Sequence, residues 1–148
     1  MTDLDPVRKM RVMAAATPGS ALVERVIPAP FSAVWAVMAD LEGEMPHYQP
    51  AVKRVQVDER DGDRLRVIAY GRAAWLRADF EAVLRPGWCW MQSRNVTFGL
   101  AAVPVSGGTL VARAGSSRRP LVGRLAAPLL RAGFAGELAR LERRALAR

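Results

Sequence analysis

At 148 residues, 51% of them apolar, the chain can bury one ordinary hydrophobic core without disulfides or metals, and wholesale disorder is excluded. A single cysteine, Cys89, leaves no intramolecular disulfide, and no run of about 18 apolar residues is present to span a bilayer as a helix. The net charge of +8 is unevenly placed: residues 1–112 carry 13 of the 22 basic and 12 of the 14 acidic side chains, and residues 113–148 carry the other 9 and 2.

At the N-terminus Asp3 and Asp5 precede the basic residues, and the apolar run Val12 to Ala16 is too short for the core of a secretory leader. With a lone thiol, a reducing compartment and a cytoplasmic protein are expected. Residues 1–19, ending in Thr17-Pro18-Gly19-Ser20, read as a flexible tail ahead of a single domain over 20–148.

Ser20 to Ile27, rich in Val, Ile and Leu, predicts a strand that Pro28 ends. Phe31, Val34, Trp35 and Met38 have helical spacing, with Pro30 at the entry of the first turn. A second short helix or turn follows around Glu42 to Tyr48. The period then changes to two. Val52, Val55 and Val57 lead to a turn over Asp58 to Asp63, and Leu65, Val67 and Ala69 follow. Leu76, Ala78, Phe80, Ala82 and Leu84 alternate with polar residues, the mark of a strand with one buried face. Pro86-Gly87 is a tight connection to Trp88–Arg94. Val96 to Val103 and Thr109 to Ala114 flank the turn Ser106-Gly107-Gly108.

Leu121 to Arg148 is helical. Leu130, Phe134, Leu138, Leu141 and Ala145 form one apolar stripe, and Leu121, Val122, Leu125, Ala126 and Leu129 form an earlier one out of phase with it. Pro128, between them, predicts a break or kink that lets both stripes face the sheet, with the first half acting as a mobile wall. Hairpin-linked strands give an antiparallel α+β sheet, and only this last helix is long enough to cover it.

Three segments carry a family resemblance: Val26 to Asp40 (VIPAPFSAVWAVMAD), Met45 to Val52 (MPHYQPAV) and Gly107 to Val111 (GGTLV). With the element order, they resemble the SRPBCC superfamily, also called START-like or polyketide cyclase/dehydrase-like, over residues 20 to 146. The resemblance implies a helix-grip fold. In it a seven-stranded antiparallel sheet curls around a long C-terminal helix, two short helices follow strand 1, and a cavity lies between sheet and helix. The superfamily includes lipid carriers and aromatase/cyclases, so the expected partner is a small hydrophobic molecule, a lipid, polyketide or aromatic metabolite.

Within such a fold Met38, Leu76, Ala78, Phe80, Phe98 and Leu100 are expected on the cavity side of the sheet and first helices. Leu125, Leu129, Gly133 and Phe134 are expected to face them from the last helix. Ala78, Ala82, Ala126, Gly133 and Gly136 are small enough to leave space, so the expected void is mostly apolar and at least ~300 Å³. The resemblance places Tyr48 at the cavity mouth. Gln92 and Arg94 point inward or outward according to whether the Pro86-Gly87 loop holds three residues or two.

No cofactor or metal is expected: one His and one Cys cannot form a tetrahedral site, and no phosphate loop or nucleophile elbow is present. His47 reads as a solvated turn residue and Cys89 as a small core residue. Cyclase-like catalysis is compatible with the fold, but no catalytic set stands out. The rival reading is an interaction protein whose basic C-terminal helix meets an anionic membrane surface or RNA/ribonucleoprotein. Nucleic acid is the less expected partner, and the oligomeric state is left open.

Overall fold

Alternating apolar residues and glycine-bearing turns drive the middle of the chain into hairpins. The computed structural model describes residues 5–73 and 75–148. The elements run α1 (Pro6–Ala16), β1 (Ala21–Ile27), α2 (Phe31–Ala39), α3 (Met45–Tyr48), β2 (Val52–Asp61), β3 (Arg64–Gly71), β4 (Arg77–Arg85), β5 (Trp88–Gln92), β6 (Val96–Val105), β7 (Gly108–Ser117) and α4 (Pro120–Leu146). The strands form one antiparallel sheet in the order β1-β7-β6-β5-β4-β3-β2, the helix-grip α+β fold.

The β2–β3 hairpin is tighter than the sequence suggests. Asp61 pairs with Arg64, so β2 runs on through most of the expected 58–63 turn, bulged near Val57. Arg85 pairs with Trp88, leaving a two-residue Pro86-Gly87 loop in which Gly87 has φ 78, a conformation glycine takes at no steric cost.

Each face of the sheet is covered over part of its width. On the inner face Val67, Ala82, Met91, Leu100 and Val111 pack against Val34, Val37 and Met38 of α2 and Leu138, Leu141 and Ala145 of α4. α4 lies mainly over β1 and β7 and against α2 and α3, so the inner face of the more distant strands is left to other cover.

The outer face of β5–β7 is covered by α1, where a loose tail was expected. Asp5 caps this helix by accepting from the Arg8 amide at 2.9 Å. Val7 and Met10 are buried with Trp88, Ala101, Ala112 and Ala114. Gly99 makes the close approach feasible, since a Cβ there would sit 2.6 Å from the Met10 sulfur. Alanine and glycine on the outward positions of β6 and β7 were the sequence sign that this face is dry.

The expected break at Pro128 does not occur: α4 is continuous from Pro120 to Leu146. Proline removes one donor, and Pro128 lies on the exposed side, where water can serve the freed carbonyl. Without a break the two apolar stripes cannot both face the sheet. The later one does, and the earlier one faces solvent.

Candidate functional site

Where α4 leaves the inner face uncovered, a hollow of about 250 Å³ opens beneath α3. Ala69 and Ala78 pair across β3 and β4 and form part of its floor, their short side chains leaving the space. Leu76, Phe80, Met91 and Phe98 supply apolar walls, and Met45 and Gln49 close the α3 side.

Behind Phe98 lies a buried charge. Arg113 of β7 points inward, and its guanidinium sits between two rings, 3.8 Å from the Phe98 centroid and 3.9 Å from that of Phe134. Its Nε approaches the Glu137 carboxylate of α4 at 3.5 Å, and its Nη1 donates to the Ala114 carbonyl. Gly115 makes room for this stack, because a Cβ there would lie 2.9 Å from Phe134 and 3.0 Å from the Arg113 guanidinium.

Two buried polar atoms, Tyr48 Oη and Gln49 Nε2, have no hydrogen-bond partner among the described residues, while Arg113 Nε has the longer ion-pair contact to Glu137. Such atoms are few in folded proteins, because each has given up water without compensation. Burial lowers Arg113 to about 10, so it remains a cation at neutral pH. Burial raises Glu137, and it raises Tyr48, which is therefore a neutral phenol able to donate. Burial also pushes the Cys89 thiol up to about 12, so it is an inert core group.

Of the residues expected to line a cavity, Leu76, Ala78, Phe80 and Phe98 do so. Tyr48 is fully buried and belongs to the polar cluster behind the hollow. Phe134 is buried as one of the rings on Arg113, and Met38 and Leu100 are packed core residues. Leu125 and Leu129 point into solvent, 75% and 79% exposed, and Gly133 is exposed as well. The N-terminal half of α4 thus contributes nothing to the hollow, which is smaller and more open than expected and lies under α3. The two-residue β4–β5 loop pairs Gln92 with Glu81 and turns it outward, and Arg94 borders the outer face too.

Arg113 and Glu137 were not singled out in the sequence. The available signal was a charged residue at the inward parity of a strand, flanked by Val111, Ala112, Ala114 and Gly115, and an acid between Phe134, Leu138 and Leu141 on the buried face of a helix.

Two larger hollows, of about 450 and 370 Å³, lie on the outer face of β2–β5. Size favours them, but their linings are solvated charges such as the exposed Arg77–Asp79 pair at 3.1 Å. The inner hollow combines an apolar lining with convergent buried polar groups, the pattern of a small-molecule site. Among the described residues no group of three His, Cys, Asp or Glu is placed to hold a metal, and His47 is exposed.

A curled antiparallel sheet gripping a long helix, with a hollow on its inner face, defines a START-like protein. Residues 19–146 match the family model described as polyketide cyclase/dehydrase and lipid transport, and the chain belongs to this family within the SRPBCC superfamily. Among solved structures, TTHA0849 from Thermus thermophilus is 25% identical, covers 86% of this chain and 97% of its own, and superposes with a TM-score of 0.66. Two others share the fold alone. The di-domain ARO/CYC protein StfQ of the steffimycin biosynthetic pathway is 10% identical, with 94% of this chain and 54% of that one covered and a TM-score of 0.71. The Zhui aromatase/cyclase from a Streptomyces species is 14% identical, with 85% and 92% covered and a TM-score of 0.62. No curated protein matches the chain.

Proposed function

We propose that the protein binds a compact hydrophobic molecule carrying a polar oxygen, such as an aromatic or polyketide-derived metabolite, in the hollow under α3. The observation that carries this reading is the apolar hollow backed by two buried polar atoms that have no hydrogen-bond partner among the described residues, Tyr48 Oη and Gln49 Nε2, with the buried Arg113–Glu137 ion pair nearby. A carbonyl or phenolic oxygen of the ligand would meet the Gln49 amide first. With Phe98 swung aside it would reach the Tyr48 hydroxyl and the Arg113 cation. At about 250 Å³ the hollow is just below the usual ~300–1,000 Å³ of ligand pockets, which suits one or two rings better than a long acyl chain. Family membership supports the same ligand class.

A second reading, cyclase-like catalysis, rests on the same cluster. A neutral phenol and a buried cation aimed at one carbonyl oxygen would stabilise an enolate forming there. Glu137, raised by burial, is the group available to take a proton.

Binding is tested by titration with the fluorescent apolar anion 1-anilinonaphthalene-8-sulfonate and by mass spectrometry of an organic extract of the purified protein. Ala78→Phe fills the hollow from a half-buried position. Saturable dye binding abolished by Ala78→Phe, at unchanged melting temperature, is the expected result. Dye binding that Ala78→Phe leaves intact would place the site elsewhere and sink the reading.

A further inference from the structure

The N-terminal half of α4 carries an apolar surface with no partner among the described residues. At ~100° per residue, Leu121, Val122, Leu125 and Leu129 fall within an arc of about 100°. The helix's buried face, marked by Gly123, Ala127, Phe134 and Leu138, lies nearly opposite. Leu121, Leu125 and Leu129 are 71%, 75% and 79% exposed. Burying three leucines would have been favourable, and nothing among the described residues covers them.

The charge around this stripe is of one sign. Arg118 and Arg119 precede it, Arg124 and Arg131 border it, and no Asp or Glu occurs anywhere between Glu81 and Glu137. Arg118 ties the start of α4 to the β5–β6 loop, its amide donating to the Asn95 carbonyl at 2.7 Å and its Nη1 to the Ser93 carbonyl at 3.0 Å. The pairings Tyr70–Arg77, Gln92–Thr97 and Val96–Ser117 put the β3–β4 loop, the β5–β6 loop and the start of α4 at one end of the sheet. The β3–β4 loop brings Trp75, 80% exposed, and Leu76. Leu76 and Arg77 also line the inner hollow, so that hollow opens toward the same end.

We propose that this end of the molecule, the 121–129 stripe with Trp75 and the surrounding arginines, docks on an anionic membrane surface. The leucines and Trp75 enter the interfacial layer while the arginines meet lipid phosphates and acidic headgroups, as basic amphipathic helices do. A second copy of the chain is disfavoured by charge. Pairing the stripe with itself would set Arg118, Arg119, Arg124 and Arg131 of one molecule against the same residues of the other, with no acid from 82 to 136 to offset them. Docking does not depend on the ligand reading. If both hold, the hollow exchanges its ligand with the lipid phase directly.

The test uses the full chain in flotation assays with vesicles of phosphatidylcholine alone and of phosphatidylcholine mixed with phosphatidylserine. Binding to the mixed vesicles that falls with added salt is expected, with little binding to the neutral ones. Arg124→Gln and Arg131→Gln should each weaken it about fivefold. The double variant L125E/L129E alters only exposed positions and should weaken it by more than about tenfold, with an unchanged melting temperature. No flotation, or flotation that L125E/L129E leaves undiminished, overturns the proposal. So does self-association in solution that L125E/L129E abolishes, which would make the stripe a dimer interface. RNA binding that needs the arginines and ignores the leucines, without flotation, overturns it as well.

Discussion

Arg113 of β7 and Glu137 of α4 meet at 3.5 Å in the interior, the guanidinium held between Phe98 and Phe134. Both are shifted against their charged forms by burial, Arg113 lowered to about 10 and Glu137 raised above the usual carboxylate range. A base lowered on folding loses stability as pH falls from its unfolded toward its folded pKa. An acid raised on folding loses stability as pH rises from its unfolded toward its folded pKa. At neutral pH the Arg113 cost is therefore present in full, and the Glu137 cost is present above the usual carboxylate range. Mutual attraction and ring stacking offset them.

An apolar replacement of both partners, Arg113→Met with Glu137→Leu, is therefore expected to equal the wild type in stability or exceed it by ~1–4 kcal/mol. Glu137→Leu alone, which strands the buried cation, should lose ~3–5 kcal/mol. Denaturant titration at neutral pH decides. A double variant less stable than Glu137→Leu would show that the pair is held for stability, not for what it offers a ligand.

Tyr48→Phe removes a buried hydroxyl that has no partner among the described residues. Stability should rise by ~1 kcal/mol, because an uncompensated polar group leaves the interior, while affinity for an oxygen-bearing ligand falls. A melting temperature that drops clearly in Tyr48→Phe would mean that the hydroxyl is satisfied.

Glu44 fastens the α2–α3 link to the end of α4. It accepts from Arg144 Nε and Nη2 at 2.7 and 3.0 Å and from Arg148 Nη2 at 3.1 Å. The hydrogen bonds from Arg144, above all, hold its pKa below the usual 4.5. A lowered acid stabilises the fold above its unfolded pKa, and the gain is lost as pH falls through the folded one. Glu44→Gln should cost ~1 kcal/mol at neutral pH, since the arginines are partly solvated. The difference from wild type should vanish as pH is lowered from 4.5 through the folded value. Parallel pH-dependent denaturation curves for the two proteins would contradict this.

Met10→Ala should destabilise the protein by ~2–4 kcal/mol, because Met10 is fully buried on the outer face against Gly99. Dye binding in the hollow, on the opposite face, should not change. A loss under about 0.5 kcal/mol would mean that α1 is not anchored as described.

Local rules carried most of the fold. The two-residue period of Leu76 to Leu84, the Pro86-Gly87 and Ser106-Gly107 turns and the helical spacing of Phe31 to Met38 depend on near neighbours, and each element formed where its pattern lies. The inward parity of Ala78, Phe80 and Phe98 follows from the same alternation, so these three and Leu76, four of the thirteen lining residues, were legible without coordinates. What decided the rest was which surface found cover. Val7 and Met10 become core only because Gly99 and Ala112 leave a shallow dry seat on the far face, a fact of pairing between distant strands. Leu125 and Leu129 have the periodicity of a buried stripe, yet one continuous helix turned only one side to the sheet, and Phe134, Leu138 and Leu141 took it. Arg113 and Glu137 lie 24 positions apart and read singly as surface charges. Only the register of β7 and the docking of α4 bring them together in the interior, between two rings, where water cannot follow.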